Sequence, residues 1–121
     1  RGFLTGNAPR LETTIEGDFR RRDPRFQGEN YDRNLHLVEE VKAVARKKGV
    51  TAAQVALAWV LQKGEDIVAI PGTKRRKYLE ENVASASVTL TPQEMQQLDA
   101  IGGEQVSGPR YSEPFMKLVD R

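Results

Sequence analysis

The 121 residues contain no cysteine and a single histidine. Without cysteine there is no disulfide framework, no thiolate metal site and no catalytic thiol. With one histidine there is no His-rich metal site and no His-based triad with a local nucleophile, and no metal ligands are expected. His36 lies within a helical pattern and carries no catalytic expectation. No apolar run approaches the roughly 20 residues that cross a bilayer. The opening RGFLTG lacks the layout of a signal peptide, so the expectation is a cytoplasmic protein with no membrane partner. A dominant charge sign is also missing. Nineteen basic and seventeen acidic residues leave a net charge of +2, too even a balance to expect a nucleic-acid partner. No internal repeat is visible. At this length, with 38% hydrophobic residues, the chain is one domain or part of one.

Two helices stand out. From Tyr31 to Lys48, Leu35, Val38, Val41 and Ala45 form an apolar stripe with Leu37 and Val44 beside it, while Glu39, Glu40, Lys42, Arg46 and Lys47 fill the polar side. Asn30 is the expected cap, and the basic end followed by Gly49 suits a helix C-terminus. Thr51 and Gln54 form a capping box for a second helix. Residues 52–62 (AAQVALAWVLQ) are apolar on nearly all sides, which predicts a helix wedged between neighbours. Its alanines permit close approach. Trp59 reads as core, with an indole N–H that needs a partner. Later, Thr91, Pro92 and Glu94 mark a third helix start, and Met95, Leu98 and Ile101 give it a narrow apolar stripe. Residues 7–30 carry charge, two prolines and two glycines but no periodicity. They predict a long loop with at most a short helical turn. Within it Phe19 and Phe26 flank Arg20, Arg21, Arg22 and Arg25, a pattern that suits RNA but is short and isolated.

The stretch Asp66–Asn82 (DIVAIPGTKRRKYLEEN) organises the rest. Ile67, Val68, Ala69 and Ile70 read as a buried parallel strand covered on both faces. Pro71 stops it, and Gly72 lets the backbone turn with positive φ or lie close to a ligand. Thr73 is the expected N-cap of a helix from Lys74, with Leu79 and Val83 on one face. This pattern sets free backbone N–H groups, a helix N-terminus and Lys74, Arg75, Arg76 and Lys77 at the end of a strand, where α/β folds bind anions. Two readings stand: a phosphate site, or a solvated basic helix start balanced by Glu80 and Glu81.

IPGTKRRKYLEEN resembles the nucleotide-binding segment of the aldo-keto reductases, NADPH-dependent (β/α)8 barrels, and its Gly-Thr form is similar to the bacterial and plant branch. RGFLTG resembles the end of that branch's pyrophosphate loop, the Ala-Leu-x-Trp segment resembles the helix before the eighth strand, and Gly108-Pro109-Arg110-Tyr111 resembles its C-terminal segment. By this resemblance, Gly72, Thr73 and Lys74, with Arg75 or Lys77, meet the 2′-phosphate and ribose. Glu81 and Asn82 meet the adenine, and Arg1, Gly2, Phe3 and Leu4 end the pyrophosphate loop. Many members carry Lys-Ser after the proline and an Arg three residues before the Glu. Here those positions hold Gly72-Thr73 and Tyr78, which leaves open the cation that meets the 2′-phosphate; by its matching position Tyr78 is counted with the cofactor-binding residues. Phe19 or Phe26 is a candidate for lining the pocket, and Tyr111 for contacting substrate.

The resemblance implies an α/β fold: the C-terminal part of a (β/α)8 TIM barrel, incomplete in this chain. The implied layout is the end of the pyrophosphate loop over 1–6, a mobile loop over 7–30, helices over 31–64 and the last strand over 66–70. The cofactor-binding turn and helix follow over 71–85, an extra helix over 92–101 and a C-terminal tail over 102–121. The function implied is an oxidoreductase that uses NADPH to reduce a small-molecule aldehyde or ketone. The family's Asp, Tyr, Lys and His tetrad lies upstream; Tyr31, Tyr78 and Tyr111 do not stand in the matching context, so no catalytic residue is assigned. The missing N-terminal part of the barrel is expected in the same or another chain, since one strand alone cannot pair its backbone. The alternatives are a non-catalytic nucleotide-binding remnant or subunit, and a small nucleic-acid-binding protein.

Overall fold

The computed structural model describes residues 1–103 and 105–119. Within the tail expected over 102–121, Glu104, Asp120 and Arg121 lie outside the described residues. Among the described residues five α-helices follow in order: α1 Gly28–Lys48, α2 Ala52–Leu61, α3 Arg76–Ala84, α4 Pro92–Gly102 and α5 Glu113–Met116. Short 3₁₀ turns occupy Phe3–Thr5, Leu11–Thr13, Phe19–Arg22, Pro24–Phe26 and Ser85–Ser87.

The long helix α1 starts at Gly28, with Gln27 rather than Asn30 at the N-cap. Asn30 is instead one turn inside, and its Nδ2 donates to the Pro24 carbonyl at 3.0 Å. Gly49, at φ 66°, ends the helix and returns its N–H to Ala45 and Arg46, a left-handed cap that only glycine adopts at no steric cost. Both expected capping boxes are formed, by Thr51 with Gln54 on α2 and by Thr91 with Glu94 on α4. Each cap is worth about 1 kcal/mol.

The core lies where α1, α2 and α4 meet. Val41 and Val44 from α1, Val55 and Ala58 from α2, and Leu98 and Ile101 from α4 are buried together, with Leu90 beside them. Val55 is fully enclosed, a burial worth about 1.5–3 kcal/mol. Trp59 is the partner-seeking aromatic the pattern implied. Its Nε1–H donates to Asp99 Oδ1 at 2.6 Å, and Lys63 bonds to the same oxygen while lying over the indole ring. Gly102 packs against that ring, where a Cβ would stand 3.1 Å from Cη2. Lys48 at the end of α1 pairs with Glu94 on α4 at 2.9 Å.

Three expectations are corrected. The strand over 66–70 is not formed: no strand occurs among the described residues, and Val68 and Ile70 are 80% and 94% exposed. A strand exists through backbone pairing with a neighbour, and the described residues supply none. The wedge expected of α2 is half made. Ala52, Val55 and Ala58 are buried, while Ala56, Leu57, Val60 and Leu61 are only half-buried. The loop over 7–30 is more structured than its composition suggests, since Asp18 and Asp23 each cap a 3₁₀ turn by accepting a backbone N–H.

No helix among the described residues is long and apolar enough to cross a membrane.

Candidate functional site

The site is built around the entry to α3. The helix begins at Arg76, later than Thr73 predicted, and Arg75 is its N-cap, without a side-chain capping bond. Thr73 acts earlier: its Oγ1 accepts from Arg75 N–H at 3.3 Å and donates to the Arg75 carbonyl at 3.2 Å, closing the turn before the helix. No side chain caps the first turn; the Tyr78 N–H bonds the Arg75 carbonyl at 3.0 Å, which leaves the N–H groups of Arg76 and Lys77 as the ones a ligand could take. Gly72 does not have positive φ, and a Cβ there would meet nothing within 4 Å. The turn itself does not need glycine; within this chain the residue leaves open space.

The far end of α3 is tied to the start of α2. Thr51 Oγ1 donates to Glu81 Oε1 at 2.7 Å, and Gln54 Nε2 donates to the Glu81 carbonyl at 3.1 Å. Ser85 Oγ donates to the Asn82 carbonyl at 2.6 Å.

Between these anchors lies a cleft of about 1070 Å³. One wall is the stretch from Gly72 through Thr73, Lys74, Arg75, Lys77 and Tyr78 to Glu81 and Asn82. The other walls are Thr51 and Ala53 at the start of α2, Thr5 and Asn7 from the first segment, and Arg20 from the 7–30 loop. Arg76 is not in the wall and pairs along the helix with Glu80 at 2.9 Å. Arg20 is held by Asp18, whose carboxylate receives its Nε at 3.0 Å and its Nη2 at 2.5 Å. The Arg20 side chain, and then its backbone N–H, lower the Asp18 pKa from 3.8 to about 2. Arg20 thus reaches the cleft as a fixed cation, while Lys74, Arg75 and Lys77 are exposed.

The residues expected at the phosphate, ribose and adenine therefore share one cleft. Arg1, Gly2, Phe3 and Leu4 do not line it, although Thr5 and Asn7 beside them do. Arg1 is occupied elsewhere: its guanidinium pairs with Asp23, donates to the Arg110 carbonyl at 2.9 Å and stacks 4.5 Å from the Tyr111 ring centroid. Gly2, at φ 79°, opens the first 3₁₀ turn. Phe3 packs edge-on against Phe26 and Tyr31, with centroids at 4.9 and 5.4 Å. Leu4 packs against the core.

A second cleft of about 390 Å³ is lined by Phe19, Tyr111 and Phe115, with Arg110. It takes Phe19 and Tyr111 of the pocket candidates, while Phe26 is 3% exposed and belongs to the interior.

Asn7, Arg20 and Thr51 were not legible as wall residues. Arg20 sits in a run of like charges, Thr51 reads fully as a helix cap, and Asn7 carries no local signal.

The aldo/keto reductase family model matches residues 1–102. The chain is 45% identical over 112 residues to "Aldo-keto reductase yakc [NADP(+)]" of Schizosaccharomyces pombe, covering 92% of this chain and 33% of that protein. It is 38% identical over 121 residues to "Aldo-keto reductase str7" of Strobilurus tenacellus, covering 99% of this chain and 36% of that protein. The chain belongs to the aldo/keto reductase family. It spans about a third of the length of these relatives. A (β/α)8 barrel needs about 250 residues, and a helical arrangement without a strand among its described residues is consistent with part of one.

Proposed function

We propose that this chain is the cofactor-binding C-terminal part of an NADPH-dependent oxidoreductase that reduces an aldehyde or ketone to an alcohol. The observation that carries the reading is the convergence of Arg20, Lys74, Arg75 and Lys77 with Glu81 and Asn82 on one cleft of about 1070 Å³. The donor set fits the dinucleotide phosphate. Cations and a helix N-terminus without a side-chain cap suit phosphate, and a carboxylate with an amide one turn or more along α3 suits a purine edge. The name of the fission-yeast relative, which carries NADP(+), supports the same cofactor.

When bound, NADPH supplies the hydride. The residues of this chain hold and orient its adenosine end, so that binding energy spent far from the reacting carbon positions the nicotinamide. Lys74, Arg75 and Lys77 would meet the 2′-phosphate, and Glu81 and Asn82 the adenine. Gly72 leaves space for close approach, and Tyr78 supplies an adjoining face. In this reading the acid and the rest of the tetrad come from upstream barrel strands, in the same or another chain. Those strands would also pair residues 66–70 as the last strand and cover Val68 and Ile70. The chain by itself would not catalyse the reduction.

The test is equilibrium titration of the full-length protein with NADPH and NADH, followed by NADPH consumption with a panel of aldehydes and ketones. A marked preference for NADPH together with turnover is the expected result. Equal affinity for the two dinucleotides would overturn the cofactor assignment. Tight NADPH binding without turnover would favour the non-catalytic subunit reading, which the exposed Val68 and Ile70 also accommodate.

A further inference from the structure

We propose that Thr51 is a positioning residue for the nucleotide base: it orients the Glu81 carboxylate that selects adenine. The inference rests on the cofactor reading above and extends it to a residue outside the α3 segment.

The geometry of the α2 capping box carries the argument. Thr51 Oγ1 accepts from Gln54 N–H at 3.2 Å, and Gln54 Oε1 accepts from Thr51 N–H at 3.0 Å. These two bonds satisfy the helix end. The Thr51 hydroxyl still has its one donor and the Gln54 amide its two, and each side chain gives one to Glu81. The Thr51 hydroxyl reaches Glu81 Oε1 at 2.7 Å, and Gln54 Nε2 reaches the Glu81 carbonyl at 3.1 Å. Glu81 is thus held at the backbone and at one carboxylate oxygen. Its Oε2 accepts no hydrogen bond among the described residues, and the side chain lines the cleft.

A carboxylate beside a cationic cleft cannot receive phosphate. It can only accept a donor. Glu81 lies one turn beyond Lys77, about 6 Å along the helix axis, at the far end of the wall from Lys74, and among the described residues its carboxylate bonds to Thr51 and not to a cation. An exocyclic amine of a purine is the N–H donor that an adenine nucleotide offers there. A hydroxyl bond to one carboxylate oxygen restricts the rotation of the group and leaves the other oxygen open to a ligand donor.

The test uses the full-length protein, NADPH and its hypoxanthine analogue, which has a carbonyl in place of the exocyclic amine. Three variants separate capping from positioning. Thr51→Asp keeps a good N-cap acceptor but removes the hydroxyl donor and sets a like charge against Glu81. Thr51→Ser keeps both. Glu81→Gln removes the charge that the amine would meet. The wild type is expected to bind NADPH about tenfold more tightly than the analogue, as one hydrogen bond to a charged group implies. Thr51→Asp and Glu81→Gln should bring that ratio close to one, and Thr51→Ser should keep it, with thermal melts showing that Thr51→Asp is folded. Retention of the full ratio by folded Thr51→Asp would overturn the positioning role and leave the cofactor reading intact. Wild-type protein that binds NADPH without discriminating against the analogue would also overturn it. Wild-type protein that binds neither dinucleotide would overturn the cofactor reading, and this inference with it.

Discussion

Arg1 Nη1 lies 2.6 Å from Asp23 Oδ2, and the Asp23 side chain is wholly buried. The contact is an ion pair outside directed hydrogen-bond geometry. The other oxygen, Oδ1, accepts from Arg25 N–H at 3.0 Å and starts the Pro24–Phe26 turn. The same guanidinium meets the Arg110 carbonyl and the Tyr111 ring. One side chain therefore joins the first segment, the 7–30 loop and the C-terminal tail.

Arg1→Ala should leave a buried carboxylate without its cation. Breaking a buried pair costs about 3–5 kcal/mol, and because Arg1 is partly exposed the loss should fall at or below the low end of that range. Asp23→Asn keeps an acceptor for Arg25 and removes the buried charge, so it should cost less than Arg1→Ala. Urea denaturation of both variants checks the order; a larger loss for Asp23→Asn would contradict it.

Asn34 is a buried polar residue on α1 that secures the tail. Its Nδ2 donates to the Ser107 carbonyl at 2.9 Å, and its Oδ1 accepts from Ser107 N–H at 2.8 Å. Asn34→Leu would strand both backbone groups, at about 1–3 kcal/mol each. The expected outcome is a fall in stability of a few kcal/mol and faster amide exchange at Ser107. Unchanged exchange there would show that the tail is held by other contacts.

Stability should decline on the acid side. Asp18 titrates at about 2 rather than 3.8, through Arg20. Glu94 is lowered by the Thr91 backbone N–H and then by Lys48, and Asp99 by Lys63 and then Trp59. A carboxylate with a depressed folded-state pKa contributes stability above its ordinary value and loses it as pH falls through the folded one. The Asp18 contribution should therefore be complete above about pH 4–5 and fade towards pH 2. Asp18→Asn should flatten the part of the stability curve between pH 4 and pH 2, as read by thermal melts across that range.

At the cleft, Lys74→Ala with Arg75→Ala should weaken NADPH by at least about tenfold, from the loss of charge-assisted bonds worth roughly 1.5–3 kcal/mol each. NADH, which lacks the 2′-phosphate, should be little changed. Arg76→Ala should have little effect on either, because Arg76 pairs with Glu80 outside the wall. Equal losses for both dinucleotides in the double variant would argue against a 2′-phosphate at these cations.

The elements that local chemistry determines were legible in the sequence. Two capping boxes, the Gly49 helix end, the α1 stripe and the need of Trp59 for a partner follow from residue types at short spacing, because the forces involved act within one or two turns of chain. The family was legible in IPGTKRRKYLEEN for the same reason: the cleft wall from Gly72 to Asn82 is nearly continuous in sequence. What only the tertiary structure decided depends on residues far apart. It joined Thr51 to Glu81 and Asn34 to Ser107, brought Arg20 to the cations of α3, and drew the Arg1 side chain to Asp23. It also left Ile67–Ile70 unpaired, since a run of apolar residues records that a segment can be buried in a sheet, but only a neighbouring backbone can make it a strand.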